Sequence, residues 1–351
     1  MDTPFLLYGS YGYTGALIAD LAVKQSMRPV LSGRDPQKLK AQAAQLGLDY
    51  IAISIDDQAA LDKAISGTPL VLNCAGPFKQ TYQPIVQACL RAHRHYLDIT
   101  GEILVFEALA ARDTEARQSG VMFLPGAGFD VTPSDCLAAH LKRRLPQANH
   151  LTLAIQSLGG GLSRGTALTG IEGLADQGVI RRDGKLVKVP LSWKTRQFDF
   201  GNGLKTAMSF PWADVCTAFY STGIPNIDEY LVRPISFVRM VQWFHPLIGL
   251  TARPFVKRWL KTIVMNLPPG PSDEARERGQ SRIWGEVGDP QGHKVVSRLL
   301  TPEAYALTAQ TALAAVRKIL RGDFKPGFQT PSLAFGADFI LEIQGVKRED
   351  L

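Results

Sequence analysis

At 351 residues the chain can bury a substantial core, and at roughly 100–200 residues per domain it predicts two domains. Hydrophobic residues make up 45% and charged residues 20%, with no low-complexity tract, which excludes a disordered arm. The formal charge of +7 attracts anions, but its basic residues are spread along the chain without a helix-turn-helix or an RNA-recognition signature, so no nucleic-acid partner is expected.

The four cysteines (Cys74, Cys89, Cys136, Cys216) show neither C-x-x-C spacing nor disulfide density, as befits a reducing cytosol. His93 and His95 lie two apart, yet no H-E-x-x-H or Cys/His cluster accompanies them, and no metal is expected. Residues 1–4 carry no positive leader, the apolar run that follows stops at Gly9, and no stretch of about 18 apolar residues exists, so the sequence reads as cytoplasmic.

The first element is an apolar strand, 4–8, and the second a helix, 14–24, with Ala16, Leu17, Ala19, Leu21 and Ala22 at helical recurrence. Between them runs Gly9-Ser10-Tyr11-Gly12-Tyr13-Thr14-Gly15. Glycine at this spacing permits a tight turn, lets the backbone approach a phosphate and brings the helix close to its strand. The free N–H groups and positive helix end then hold an anion, here the pyrophosphate of a dinucleotide, the rival being a glycine-rich turn that binds nothing.

After a second strand, 29–31, comes Ser32-Gly33-Arg34. An acid at this place serves the ribose of NAD, whereas an arginine accommodates the 2′-phosphate of NADP. Asp35, followed by Pro36, is better explained as a helix cap. NADP(H) is therefore preferred, with NAD(H) the alternative.

The alternation continues with strand 50–55, a helix from Asp57, strand 69–74, helix 83–92, strand 96–99, helix 102–117, strand 121–124 and helix 133–144. The fold class is α/β, a Rossmann-type doubly wound parallel sheet whose ligand crevice lies beyond the carboxyl ends of its strands. Asn73, Ala75, Gly76, Pro77 and Phe78 end the fourth strand and either face the cofactor or form a plain strand-ending turn. Asp98 lies within an apolar strand, where a carboxylate is costly unless paired or functional. Glu102 either favours the positive end of its own helix or faces a ligand. Asp130 and Asp135 bracket Pro133, and one of them is expected to serve the helix start.

A strand, 151–158, leads into Gly159-Gly160-Gly161-Leu162-Ser163, where consecutive glycines suggest close backbone approach to a ligand, a flexible connection being the rival. Beyond it, 179–188 alternates around Asp183-Gly184 as a hairpin, and 283–287 pairs with 294–299, predicting an α+β second domain with an antiparallel sheet. Residues 233–264 are apolar and basic: Arg253, Lys257 and Lys261 recur beside Arg258, while Phe255, Val256, Trp259, Leu260, Ile263 and Val264 take the other side. Such a helix lies on an anionic membrane surface or packs its apolar face on the core or a partner.

The segments 9–15, 73–78, 96–102, 125–135 and 159–166, in this order and spacing, resemble the saccharopine dehydrogenase-like oxidoreductases, particularly the branch with the bacterial trans-acting enoyl reductases. The resemblance resumes at 269–276, 301–305 and 330–336; one departure is Thr81-Tyr82, where relatives often carry Tyr-Gly. It implies a Rossmann domain over 1–130, an α+β substrate and dimerisation domain over 131–329, and a segment 330–351 packing back on the first. It also implies hydride transfer with NADP(H) to an enoyl or related bond of a lipid, acyl or polyketide substrate. The alternatives are imine reduction on an amino acid, or a dinucleotide- and lipid-binding protein without turnover.

The resemblance places Glu102, Gly128, Phe129, Asp130, Gly160, Gly161, Arg164 and Thr166 at the substrate. Asp98 and Asp130 are weak candidates for catalysis, and the proton donor is unassigned. A homodimer is expected, with peripheral contact through 233–264 to the inner face of the membrane.

Overall fold

The computed structural model describes residues 4–173, 178–244 and 253–351. Contacts divide the chain into two units, Met1–Thr132 with Tyr305–Gly336, and Pro133–Ala304 with Ala337–Leu351.

The elements begin with β1 (Leu6–Tyr8), α1 (Tyr13–Lys24), β2 (Val30–Gly33), α2 (Pro36–Leu46), β3 (Tyr50–Ala52) and α3 (Gln58–Ser66). There follow β4 (Leu70–Asn73), α4 (Phe78–Ala92), β5 (His95–Asp98), α5 (Ile103–Ala110), α6 (Asp113–Gln118) and β6 (Met122–Leu124). Next come α7 (Thr132–Arg144), β7 (His150–Leu158), α8 (Arg164–Gly173), β8 (Gly178–Arg182), β9 (Lys185–Val189), β10 (Thr195–Asp199) and β11 (Leu204–Ser209). Then α9 (Asp214–Thr222), β12 (Asn226–Val232), α10 (Ile235–Phe244), α11 (Pro254–Met265) and α12 (Asp273–Arg278) lead to β13 (Gln280–Gly288) and β14 (Lys294–Pro302). The chain closes with α13 (Ala304–Leu320), β15 (Gly327–Phe328), α14 (Pro331–Phe335) and β16 (Lys347–Asp350).

In the first unit the sheet order is β15-β6-β5-β4-β1-β2-β3, and every pairing is parallel. Helices cover both faces of such a sheet, so its central strands are continuously apolar: Leu6 and Leu7 of β1 and Leu70, Val71 and Leu72 of β4 are fully buried. Local signals start the helices. Asp35 Oδ1 accepts the N–H groups of Gln37 and Lys38 at 3.1 Å each, with Pro36 opening α2, and Asp57 caps α3 through the Ala60 N–H at 3.0 Å.

Three expectations are corrected. Helix α4 starts at Phe78 rather than at residue 83, because its first turn, Phe78-Lys79-Gln80-Thr81, carries no apolar stripe. The helix expected over 102–117 divides at residues 111–112, where Asp113 turns to accept the Phe328 N–H of β15 at 2.8 Å. Where the sequence puts the return to the first domain at residue 330, contacts put it at Tyr305 and assign Ala337–Leu351 to the second unit. The cause is α13, whose Leu307, Ala312, Leu313 and Val316 are buried and whose Thr308 and Thr311 bond to the loop after β6.

The second unit is built on a mixed sheet, β10-β11-β12-β7-β13-β14-β16, with β8 paired to β12 and β9. The β7–β12 pair is parallel, and β13 and β14 form a long antiparallel hairpin. The β8–β9 turn has Asp183 at φ +47° and Gly184 at φ +75°, the two positive angles that an Asp-Gly hairpin supplies. One face of this sheet carries Phe198, Phe200, Tyr230 and Trp284 around Ala154 and Ala207. Against Gly285 lies α7, so closely that a Cβ there would come within 2.6 Å of Leu141.

Of the apolar and basic segment 233–264, residues 245–252 lie outside the described residues. In α11 the aromatic row faces outward: Phe255 and Trp259 are 67% and 64% exposed beside Arg253 and Arg258. Val264 turns inward and Lys257 and Lys261 are half-buried, so the basic residues do not form a solvent face of their own.

Candidate functional site

The turn between β1 and α1 is held by its own backbone. The N–H groups of Gly9 and Ser10 both donate to the Ser32 carbonyl of β2, at 2.8 and 3.2 Å, and the Gly12 N–H donates to the Gly9 carbonyl at 3.0 Å. Gly9 sits at φ +80°, and a Cβ there would meet the Ala75 nitrogen at 2.8 Å. At Gly15 a Cβ would lie 2.3 Å from the Gly9 carbonyl oxygen, whereas at Gly12 the same oxygen would be 3.2 Å away. Among the described residues no side chain caps α1, and no acid occupies its first turn. These residues fit the pyrophosphate of a dinucleotide, because the N–H groups of Thr14 and Gly15, which open α1 and have no intrahelical partner, and the positive helix end make an anion site with no competing carboxylate.

The rest of the turn is fixed from α2 and β2. Ser10 is fully buried, donating its hydroxyl to Gln42 Oε1 at 2.8 Å while Gln42 Nε2 donates to the Ser10 carbonyl at 2.9 Å. The Tyr11 ring lies over Gly33, and its hydroxyl accepts the Asp35 N–H at 3.2 Å. Tyr13 meets Tyr305 edge to face at 5.1 Å, and Thr14 is half-buried at the start of α1. Arg34 is exposed just past the carboxyl end of β2.

A second group gathers at the carboxyl ends of β4, β5 and β6. Asn73 is fully buried; its Nδ2 donates to Thr81 Oγ1 at 3.1 Å and to the Tyr96 hydroxyl at 3.3 Å, while its Oδ1 accepts the Ala75 N–H at 3.0 Å. The turn then passes Gly76 and Pro77, joined by a cis peptide, into Phe78 and α4. Asp98 is also fully buried, and is paired: it accepts the Tyr96 hydroxyl at 2.7 Å and the N–H groups of Thr100 and Gly126 at 3.0 and 2.9 Å. Burial pushes its carboxyl up to about 6, against the lowering effect of those three donors.

Glu102 reaches not its own helix but α4, whose first N–H groups, Phe78 and Lys79, donate to its two oxygens at 2.7 and 2.9 Å. It therefore caps a neighbouring helix and ties the loop after β5 to the turn after β4. Asp130 is half-buried against Gly101, where a Cβ would meet Asp130 Oδ2 at 2.7 Å, and burial raises its carboxyl to about 6. Gly128 has Thr308 of α13 within 2.8 Å of where a Cβ would stand, and the N–H of the buried Phe129 donates to Thr308 Oγ1 at 3.0 Å.

The remaining candidates belong to the second unit. Gly159 and Gly160 take φ +78° and +74°, and Gly160 faces Glu303, whose Oε1 would be 3.0 Å from a Cβ. Gly161 faces Pro271. Ser163 caps α8 by accepting the Thr166 N–H at 3.1 Å, with the two hydroxyls 3.0 Å apart. Arg164 Nε donates to the Leu267 carbonyl at 2.6 Å.

The structure thus brings Gly9–Gly15, Asn73–Phe78, Asp98, Glu102 and Gly128–Asp130 to one edge of the first sheet. Four positioning residues escape sequence reading: Gln42, Thr81, Tyr96 and Thr308. Their partners are far away in the chain or follow no periodic pattern. Among the described residues no group of His, Cys, Asp and Glu could hold a metal ion.

Comparison with known proteins bears on this edge. Residues 5–124 match the family described as the saccharopine dehydrogenase NADP binding domain. A trans-acting enoyl reductase of Mycobacterium ulcerans is 31% identical over 147 residues, 40% of this chain and 35% of its own length. A saccharopine dehydrogenase-like oxidoreductase of Mus musculus is 29% identical over 205 residues, 50% of this chain and 47% of its own length. The chain thus spans between a third and a half of the length of these relatives. Apo saccharopine dehydrogenase (L-Glu forming) of Saccharomyces cerevisiae shares the fold over 99% of this chain and 100% of its own, with a TM-score of 0.72 at 13% identity.

Proposed function

We propose that this chain is a saccharopine dehydrogenase-like oxidoreductase, whose residues 5–124 match an NADP binding domain, and that it reduces an enoyl or related bond in a lipid, acyl or polyketide substrate. NADPH supplies the hydride when bound. The chain's own residues bind and orient. The N–H groups of Thr14 and Gly15 at the start of α1 take the pyrophosphate, on a turn that the Gly9, Ser10 and Gly12 N–H groups hold in shape, and Arg34 takes the 2′-phosphate. Asn73, Ala75, Gly76, Pro77 and Phe78 shape the crevice beyond β4. Asp130, half-buried and raised to about 6, is the carboxyl best placed to exchange a proton with solvent, whereas Asp98 is held by three donors and positions the loops around it.

The observation that carries this reading is the β1–α1 turn, where a Cβ at Gly9 or Gly15 would strike backbone. An acyl substrate is supported by the enoyl reductase relative and by the exposed Trp243, Phe255 and Trp259, which would also give peripheral contact with the inner face of a membrane. Imine reduction on an amino acid would need arginines for substrate carboxylates, and Arg164 is committed to the Leu267 carbonyl. Stopped-flow oxidation of NADPH against enoyl, imine and ketone panels tests the reading. Fastest turnover on an enoyl thioester is expected; turnover on imines alone, or on nothing, overturns it.

A further inference from the structure

The ends of β7, β11 and β12 line an open cleft of about 520 Å³ within the second unit. Its position follows from strand register. Tyr230 of β12 pairs with Ala154 of β7, and both belong to the aromatic cluster; two residues further on, on the same face, Val232 and Gln156 line the cleft. Lys205 reaches it from β11, and Arg233 from the residue after β12.

Gln156 is 4% exposed, and among the described residues its Oε1 accepts no hydrogen bond. Oε1 is sealed from the cleft, whereas Nε2 keeps accessible surface and is the amide atom a ligand can reach. Arg233 spends one N–H on the Val232 carbonyl at 3.0 Å, and among the described residues no carboxylate lines the cleft beside it or Lys205. The other walls are apolar: Leu158, Val232, and at the mouth Leu204 and Ile235, which are 67% and 51% exposed. Ile235 opens α10, along which Phe237, Met240 and Trp243 continue the exposed apolar surface.

We propose that this cleft binds an amphipathic acid: its carboxylate or phosphate pairs with Arg233 and Lys205, a carbonyl oxygen of the ligand accepts from Gln156 Nε2, and its hydrocarbon lies along Leu158, Val232, Leu204 and Ile235. The site deepens the reductase reading by naming the class of acyl compound the second unit takes, and rests on that reading only for its role as substrate site.

Calorimetric titration of the full chain with N-dodecanoylglycine, dodecanoate, dodecyl phosphate and dodecanol tests it. The first carries chain, amide carbonyl and carboxylate, the second lacks the amide, the third replaces the carboxylate with phosphate, and the fourth lacks the charge. Saturable binding of the three acids is expected, N-dodecanoylglycine being the tighter carboxylate and dodecanol at least tenfold weaker. Arg233→Gln should remove the advantage of the acids over dodecanol, and Gln156→Leu the advantage of N-dodecanoylglycine over dodecanoate. NADPH affinity of each variant serves as the folding control. Absence of binding, or binding unmoved by both substitutions, overturns the site. Vesicles of phosphatidylglycerol, run alongside, distinguish a headgroup from a free acid: loss of vesicle binding in Arg233→Gln with no change for the free acids overturns it too. If the acids bind but no substrate oxidises NADPH, the reductase reading falls and the site stands; the reverse result removes the site alone.

Discussion

Gln42 and Ser10 hold each other reciprocally, the amide nitrogen donating to the Ser10 carbonyl at 2.9 Å and the Ser10 hydroxyl donating to Gln42 Oε1 at 2.8 Å. The pair joins the middle of α2 to the first residue after Gly9, so the pyrophosphate turn is preorganised from a helix that does not itself touch the turn's backbone N–H groups. Two neutral hydrogen bonds are worth about 1 kcal/mol each net. Gln42→Ala should therefore raise the NADPH dissociation constant about tenfold while leaving the chain folded, read by fluorescence titration beside a thermal melt. Unchanged affinity would show that Ser32 alone holds the turn.

The three glycines of that turn are not equivalent. A methyl group at Gly15 meets the Gly9 carbonyl at 2.3 Å and the Ser10 Cα at 2.9 Å, both backbone, whereas at Gly12 it meets one oxygen at 3.2 Å. Gly15→Ala should abolish NADPH binding and lower the melting temperature, because α1 must move away from its strand. Gly12→Ala should lose affinity with little loss of stability. Equal stability losses in both would show that the difference in clearance does not decide.

Arg34 is exposed beyond β2 and offers its guanidinium where a 2′-phosphate is expected. A charge-assisted contact of this kind contributes about 1.5–3 kcal/mol. Arg34→Ala should weaken NADPH about tenfold or more and leave NADH unchanged. Equal losses for the two cofactors would place the discriminating contact elsewhere, with Lys38, which stands 5.6 Å from the Tyr11 ring centre, the next residue to replace.

How much of this was legible in the chain depended on distance along it. The turn 9–15 and the Asp35-Pro36 cap are local, and their residue types carry their own geometry. Gln42 acts across 32 residues and Thr308 across 179, and a lone polar side chain on a helix gives no sign of what it reaches. Glu102 shows the same limit: its place at a helix start reads as a cap for that helix, while the N–H groups it satisfies belong to a helix 24 residues earlier. The orientation of α11 was hidden because periodicity separates two faces without saying which one is covered.

Stability should depend on pH in a direction unusual for a protein rich in carboxylates. In the second unit Asp214 and Glu229 are buried together, with Asp214 Oδ1 accepting the Thr217 hydroxyl at 3.0 Å. Burial, with the charge of Asp135 nearby, pushes Asp214 up to about 7, and burial beside Asp214 pushes Glu229 well above the carboxylate range. Asp98 and Asp130 are raised to about 6 by burial. Each of these groups has a folded pKa above its unfolded value near 4, so between the two the folded chain binds more protons and stability falls as pH rises. The contributions of Asp98, Asp130 and Asp214 are complete below about pH 4 and are lost as pH passes 6 and then 7. Asp338, held down to about 2 by Arg143 and Arg348, acts oppositely, and its contribution is lost as pH falls from about 4 towards 2. His95, which burial lowers to about 4, loses its contribution as pH falls from about 6 towards 4, so denaturant melts should show stability declining from about pH 6 towards pH 8. Asp214→Asn keeps an acceptor for Thr217 and removes one titrating carboxyl, so it should flatten that decline. A slope from pH 6 to 8 unaltered by the substitution would show that the Asp214–Glu229 pair does not govern it.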